Sequence, residues 1–280
     1  MKREVGMRNS ECGRKSPVRG LGGALTTLTL VSWPGKESED LSTSLPWFPA
    51  VGLFLGMILC GIGYAWTRLL PGQWLAGAAL LIVGVEVWLT RGLHLDGLAD
   101  WADSIGGFQE REKRLAIMKD VSLGAFGVLA LILALMAKWV AFERILGTGS
   151  FIWLLPILAL SRGMMVDLIT TLPYARAEEG MAKPFVKGAS PKHRLASHLI
   201  CLVICLPFGP LGLAFFVFAG FVTWLFKVRC LKRFGGITGD LLGTANEMVE
   251  ICLLLICALP GKSILNYTGW AWVLNEFLPG

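Results

Sequence analysis

Long apolar runs, each about the length of a bilayer crossing, alternate with short polar loops along this chain. A helix needs roughly 20 apolar residues to cross about 30 Å of hydrocarbon. Residues 48–70, 74–93, 123–142 and 151–171 each supply such a run. Residues 196–229 form a longer one, which as a single helix would reach about 50 Å, well beyond the bilayer core. Pro207, Gly209, Pro210 and Gly212 sit at its middle. Proline there breaks the hydrogen-bond ladder, so the pattern predicts two passes meeting at a tight turn. The last run extends from about Asp240 to Leu259 and stops at Pro260-Gly261. The expected fold is all-α: a polytopic integral membrane protein with about seven transmembrane helices.

Composition removes the soluble alternatives. Apolar residues make up 54% of the 280 positions and charged residues 16%, with a mean hydropathy of +0.62. A soluble domain carries about 25% charge. Disorder, collagen and coiled coil are excluded on the same grounds. Seven cysteines, most within apolar runs and none in a CxxC pair, read as small buried residues rather than a zinc site or disulfide framework. Residues 1–20 form a basic, polar extension with six Lys or Arg. The stretch Leu21–Val31 reads as an uncleaved interfacial or re-entrant helix, because it carries no small-x-small cleavage pattern. Residues 21–280 then form a single membrane domain. Tyr267, Trp270, Trp272 and Phe277 look like an interfacial anchor.

The net charge of +6 bears on orientation and anionic lipid rather than nucleic acid. Seven passes from a cytoplasmic N-terminus put residues 1–20 and the loops 95–121, 173–195 and 229–239 on one side. These hold most of the loop cations. The opposite loops, 71–73, 143–150 and 208–211, contain one, Arg144. The active site is expected on the same cytoplasmic side.

Four segments carry candidate chemistry. The first, His94-Leu95-Asp96-Gly97-Leu98-Ala99-Asp100-Trp101-Ala102-Asp103, spaces its carboxylates i, i+4, i+7, within roughly 60° of arc on a helix. Three anions on one stripe beside a membrane call for a cation. Hard oxygen ligands suit Mg²⁺, which keeps waters and binds substrate phosphates. A solvated acidic helix end is the plainer reading. His94 points about 160° away from Asp96 and reads equally as a substrate contact or an interfacial residue. In the second segment, Met118-Lys119-Asp120, Asp120 stands where an N-cap of the third span should be. Lys119 and the helix amides there could hold a diphosphate. The third segment, residues 235–250, has a Gly-rich turn, Gly235-Gly236-Ile237-Thr238-Gly239-Asp240, leading into a helix that bears Asn246, Glu247 and Glu250. Asp240 and Glu247 share a face. Glu250, deeper in the span, is either functional or ion-paired to a nearby cation. In the fourth, Arg162 within an apolar helix calls for a phosphate or carboxylate partner, and Arg176 and Lys183 are plausible anion contacts.

At these residues the sequence resembles the cobalamin synthase family, the adenosylcobinamide-GDP ribazoletransferases. The match runs in order over about residues 22–260, carried by HLDGLAD, MKD and GGITGD followed by Glu247. Val121-Ser122-Leu123 departs from it where a basic residue is expected. The resemblance implies a Mg²⁺-dependent enzyme of the bacterial or archaeal cytoplasmic (inner) membrane. α-Ribazole, or its 5′-phosphate, would attack the diphosphate of adenosylcobinamide-GDP, releasing GMP and forming adenosylcobalamin or its phosphate. The implied site has Asp96, Asp100 and Asp103 as catalytic residues, joined by Asp240 and Glu247 as metal ligands. His94, Lys119, Asp120, Arg162, Arg176, Thr238 and Asn246 are the implied substrate contacts. The partners are the two substrates and the lipid bilayer, with no nucleic acid, and a homo-oligomer is left open.

Two other classes compete. A CDP-alcohol or prenyl transferase also uses spaced aspartates, but Asp96-Gly97-Leu98-Ala99 is followed by Asp100 where the CDP-alcohol pattern wants Arg. A cation transporter would line a path with carboxylates. Here they cluster at one face, and Glu86 and Glu250 are the only spanning-helix acids that could support such a path.

Overall fold

The computed structural model describes residues 17–33, 40–70, 74–107, 110–177 and 180–273. Most of the basic extension, and Phe277 of the expected anchor, lie outside the described residues. The helices are α1 (Pro17–Leu28), α2 (Phe48–Leu69), α3 (Leu75–Leu89), α4 (Leu93–Ile105), α5 (Arg111–Ile117), α6 (Ala125–Thr148), α7 (Leu154–Thr171), α8 (Lys183–Gly188), α9 (Pro191–Cys205), α10 (Gly209–Phe234), α11 (Gly239–Ala258) and α12 (Ser263–Asn266). The apolar runs are helical because lipid offers the backbone no hydrogen-bond partner, so each segment must satisfy its own.

Among the described residues, five helical segments are long and apolar enough to cross a membrane, or six if α3 and α4, bent by 89°, count as one. One of the five is the continuous run Pro191–Phe234. It does not continue straight. The rings of His198 and Phe216 lie 6.0 Å apart, although 18 residues of unbroken helix would separate them by about 27 Å. The chain folds back at Leu206–Phe208 and at Gly209, whose φ of +70° suits glycine. The break expected within 196–229 is therefore present, as the hairpin α9–α10.

α7 is the central helix, buried along almost its whole length between α2, α9, α10 and α11. Glycines let α2 approach it closely. A Cβ at Gly52 would collide with the Leu158 carbonyl, and one at Gly56 would come within 3.0 Å of the Leu155 Cα. This is the small-xxx-small packing that substitutes for a hydrophobic driving force in lipid. The outward faces stay apolar: Leu80, Trp88, Leu133, Met136, Val203, Val217 and Trp224 are exposed.

Lipid and core make opposite demands on glycine, which gives a paired test. Gly52→Leu overpacks the α2–α7 seam, a change costing about 1–3 kcal/mol in crowded cores, and lowers the melting temperature in detergent or nanodiscs. Gly61, with nothing within 4 Å of an added Cβ, accepts Gly61→Leu without loss. Equal melting temperatures for the two variants would contradict this packing.

Candidate active site

The site forms where α4 meets the start of α11. Arg91 and Gly92 adopt positive φ of 56° and 63°, turning the chain off α3. α4 then runs along the first turns of α11. The two helices almost touch: a Cβ on Gly97 would lie 2.8 Å from the Asp240 Cα. The Thr244 hydroxyl donates to the Gly97 carbonyl at 2.9 Å, and the Asn246 amide meets His94 Nδ1 at 3.0 Å. The Gly in HLDGLAD is thus the contact that lets Asp96 and Asp100 approach Asp240.

The Gly-rich turn is held by the chain after α7. Residues 173–175 pair in parallel with Ile237, through Ile237 N–H to the Pro173 carbonyl (2.8 Å) and Ala175 N–H to the Ile237 carbonyl (2.9 Å). That pairing delivers Arg176, whose Nη2 donates to Asp240 Oδ2 at 2.7 Å and to the Met118 carbonyl at 3.2 Å. The buried Arg176 Nε has no hydrogen-bond partner. Thr238 caps α11, its hydroxyl accepting from the Leu241 amide at 3.2 Å.

Burial raises the Asp100 carboxyl to about 7, reinforced by the charges of Asp240 and Asp96 and opposed by Arg176. Asp96 is exposed, and Asp100 and Asp240 are half-buried. Asp103 is engaged differently. Its two carboxylate oxygens accept the Gly124 and Gly127 amides, each at 2.8 Å, so it caps α6 from another helix. Two of the amides expected to seat a diphosphate there, those of Gly124 and Gly127, are already bonded to it. Asp120, expected to cap that helix, instead accepts the Ser122 amide at 3.0 Å in a local turn, and these hydrogen bonds hold its carboxyl below the usual range. Lys119, beside it, is exposed. Arg114, which stands in none of the four candidate segments, is buried and donates to the carbonyls of Ser104 (2.8 Å) and Gly107 (3.2 Å), closing the end of α4.

Four other candidates lie inside the bundle rather than on this mouth. His94, Arg162, Asn246 and Glu247 are at most 2% exposed. Glu247 meets Lys138 at 2.8 Å, so its carboxylate has a cation partner inside the bundle. Arg162 pairs with Glu250, the carboxylate partner rather than the phosphate. Glu250 likewise has its nearby cation. Lys138 escaped notice in the sequence, although it is a buried cation within the apolar helix α6, which is signal enough.

Among the described residues, no three His, Cys, Asp or Glu side chains enclose a metal by themselves. Mg²⁺ does not require such a cage: one or two carboxylates, waters and substrate phosphates are its usual shell. Asp96, Asp100 and Asp240 fit that donor set.

A helical bundle that crosses a membrane and gathers carboxylates and a guanidinium at one mouth defines a polytopic membrane protein with a polar, charge-handling site. The chain belongs to the cobalamin-5-phosphate synthase family, whose model matches residues 20–258. It is therefore a transferase of cobalamin biosynthesis. An adenosylcobinamide-GDP ribazoletransferase of Chlorobium phaeobacteroides (strain BS1) is 43% identical over 242 residues, covering 84% of this chain and 95% of that protein. One from Chlorobium phaeovibrioides is 42% identical over 243 residues (85% and 96%). One from Syntrophobacter fumaroxidans is 39% identical over 243 residues (85% and 97%). No solved structure matches.

The α4–α11 contact has a direct consequence. Gly97→Ala forces the helices apart beside Asp240. Displacements near 1 Å cost about a hundredfold in rate, so turnover falls by about that factor in protein that keeps its helical content, with the modest loss of detergent stability that overpacking brings, about 1–3 kcal/mol. Full activity in this variant would contradict the close approach.

Proposed function

We propose that this mouth transfers the cobinamide phosphate group of adenosylcobinamide-GDP to α-ribazole or its 5′-phosphate, releasing GMP. The observation that supports it most is the meeting of the HLDGLAD and GGITGD segments at one end of the bundle. Both segments lie within the matched family region. A diphosphate ester is shielded by its own charge, and GMP leaves poorly unless that charge is neutralised. Asp96, Asp100 and Asp240 would hold Mg²⁺, which when bound supplies Lewis-acid neutralisation of phosphate charge. Arg176, anchored by Asp240 and the Met118 carbonyl, offers its remaining donors to a phosphate oxygen. With the cation absent, burial and the neighbouring Asp240 and Asp96 charges hold the Asp100 carboxyl near 7, so in this reading Asp100 gives up its proton when it takes the cation, and the ribazole hydroxyl proton leaves to another carboxylate of the mouth or to water. The new P–O bond forms from that hydroxyl oxygen as the bond to GMP breaks.

The site end also carries Arg111, Lys113, Lys119, Lys183, Lys187, Lys192, Arg194, Lys232 and Arg233. The far end has Arg68, Arg144 and Lys262. That asymmetry supports a cytoplasm-facing mouth in a bacterial or archaeal inner membrane.

Asp96→Asn or Asp100→Asn abolishes GMP release from adenosylcobinamide-GDP and α-ribazole in purified, folded protein. Near-normal turnover in either variant overturns the assignment. A proton on Asp100 competes with the cation. The Mg²⁺ concentration for half-maximal activity therefore rises about tenfold per pH unit below 7 and levels off above it. A Mg²⁺ requirement independent of pH between 6 and 8 would remove Asp100 from the ligand set.

A further inference from the structure

The hairpin α9–α10 and the central helix α7 enclose a cavity of about 280 Å³ that shares no lining residue with the acidic mouth. Met164 and Asp167 of α7, His198 of α9, and Phe216, Gly220 and Thr223 of α10 line it. Its remaining wall, Val217, is 68% exposed. On the same two helices Leu195, Leu199, Phe221 and Trp224 are exposed. The cavity therefore opens among side chains that meet hydrocarbon.

Asp167 sets its chemistry. This carboxylate lies in the apolar segment Phe151–Thr171, where an acid needs a partner. Its side chain is 21% exposed, and the nearest basic groups, Arg194 Nη1 and His198 Nε2, each stand 3.9 Å from Oδ1, beyond hydrogen-bonding distance. Among the described residues, no hydrogen bond reaches either carboxylate oxygen. Cations stand at the cavity's edge: Arg194 is one turn from His198 along α9, and half-buried Lys227 is one turn from Thr223 along α10. Both lie on the side nearer the basic end of the bundle. An open anion and two cations at the rim of an apolar cavity complement a zwitterion carried on hydrocarbon chains.

We propose that this cavity binds one phospholipid with a primary-ammonium headgroup, a phosphatidylethanolamine. Its ammonium donates to Asp167, its phosphate meets Arg194 and Lys227, and an acyl chain lies over Phe216 and Val217. A primary ammonium fits because a carboxylate only accepts, and so calls for N–H donors at short range. A choline headgroup carries the same charges without an N–H, and a glycerol headgroup brings no cation. The bound lipid bridges α7, α9 and α10 and supplies the close cation that Asp167 lacks.

Native mass spectrometry of the full chain, titrated in detergent with phospholipids of identical acyl chains, tests this. Wild type retains one phosphatidylethanolamine with about tenfold higher affinity than phosphatidylcholine, the worth of a charge-assisted hydrogen bond. Asp167→Asn, which keeps the size and removes the charge, lowers phosphatidylethanolamine to the phosphatidylcholine level. Gly220→Leu fills the cavity without a collision, since nothing lies within 4 Å of an added Cβ, and it abolishes the preference as well. Equal retention of the two lipids by wild type overturns the proposal. So does a preference for phosphatidylglycerol, which would leave only the cations at work. A preference that survives either substitution overturns it too, by placing the lipid elsewhere. Should Asp167→Asn fail to fold, the Gly220→Leu comparison decides alone.

Discussion

The close approach of α4 to α11 is the constraint on which the rest of the site depends. Carboxylates on one helix repel, and a second carboxylate-bearing helix brought against them adds to the repulsion. The structure meets that with geometry first: Gly97 gives up its side chain, Thr244 bonds to the Gly97 carbonyl, and Asn246 ties to His94. It meets it with charge second, through Arg176 on Asp240. What remains is a mouth in which Asp100 is held near 7, a state that a divalent ion and a diphosphate would relieve.

Two polar layers divide the work along α11. At its first turn, Asp240 faces the mouth. Two and nearly three turns deeper, Glu247 and Glu250 face Lys138 and Arg162. A buried ion pair is weak evidence of net stability, but removing one partner from such a pair costs about 3–5 kcal/mol. The deeper layer therefore ties α3, α6, α7 and α11 together, and the shallower layer is the one proposed to do the chemistry. The glycine seam between α2 and α7 serves the same end by packing, holding the central helix to which Arg162 belongs.

Much of this was legible in the chain. The apolar runs marked the spans, and Pro207 through Gly212 marked the α9–α10 turn, because lipid leaves so few backbone solutions. The i, i+4, i+7 carboxylates showed a face, and the loop cations placed HLDGLAD and GGITGD at the same end. Periodicity gives a face but not what lies opposite it. Asp103 looked like a third ligand because its stripe is that of Asp96 and Asp100; only the position of α6 shows that its oxygens meet Gly124 and Gly127. Glu247 shares a helical face with Asp240, yet two turns of depth separate a mouth from a membrane interior. Lys138 was readable as an isolated cation in an apolar helix, although its three carboxylate partners were not.

The central claim is that α4 and α11 jointly hold one divalent ion against the diphosphate. Pulsed electron paramagnetic resonance with Mn²⁺ in place of Mg²⁺, on protein bound to adenosylcobinamide-GDP, tests it most directly. The account predicts a single bound Mn²⁺ with ³¹P coupling, lost when either Asp96 on α4 or Asp240 on α11 becomes Asn. Phosphorus coupling that survives both substitutions would contradict it.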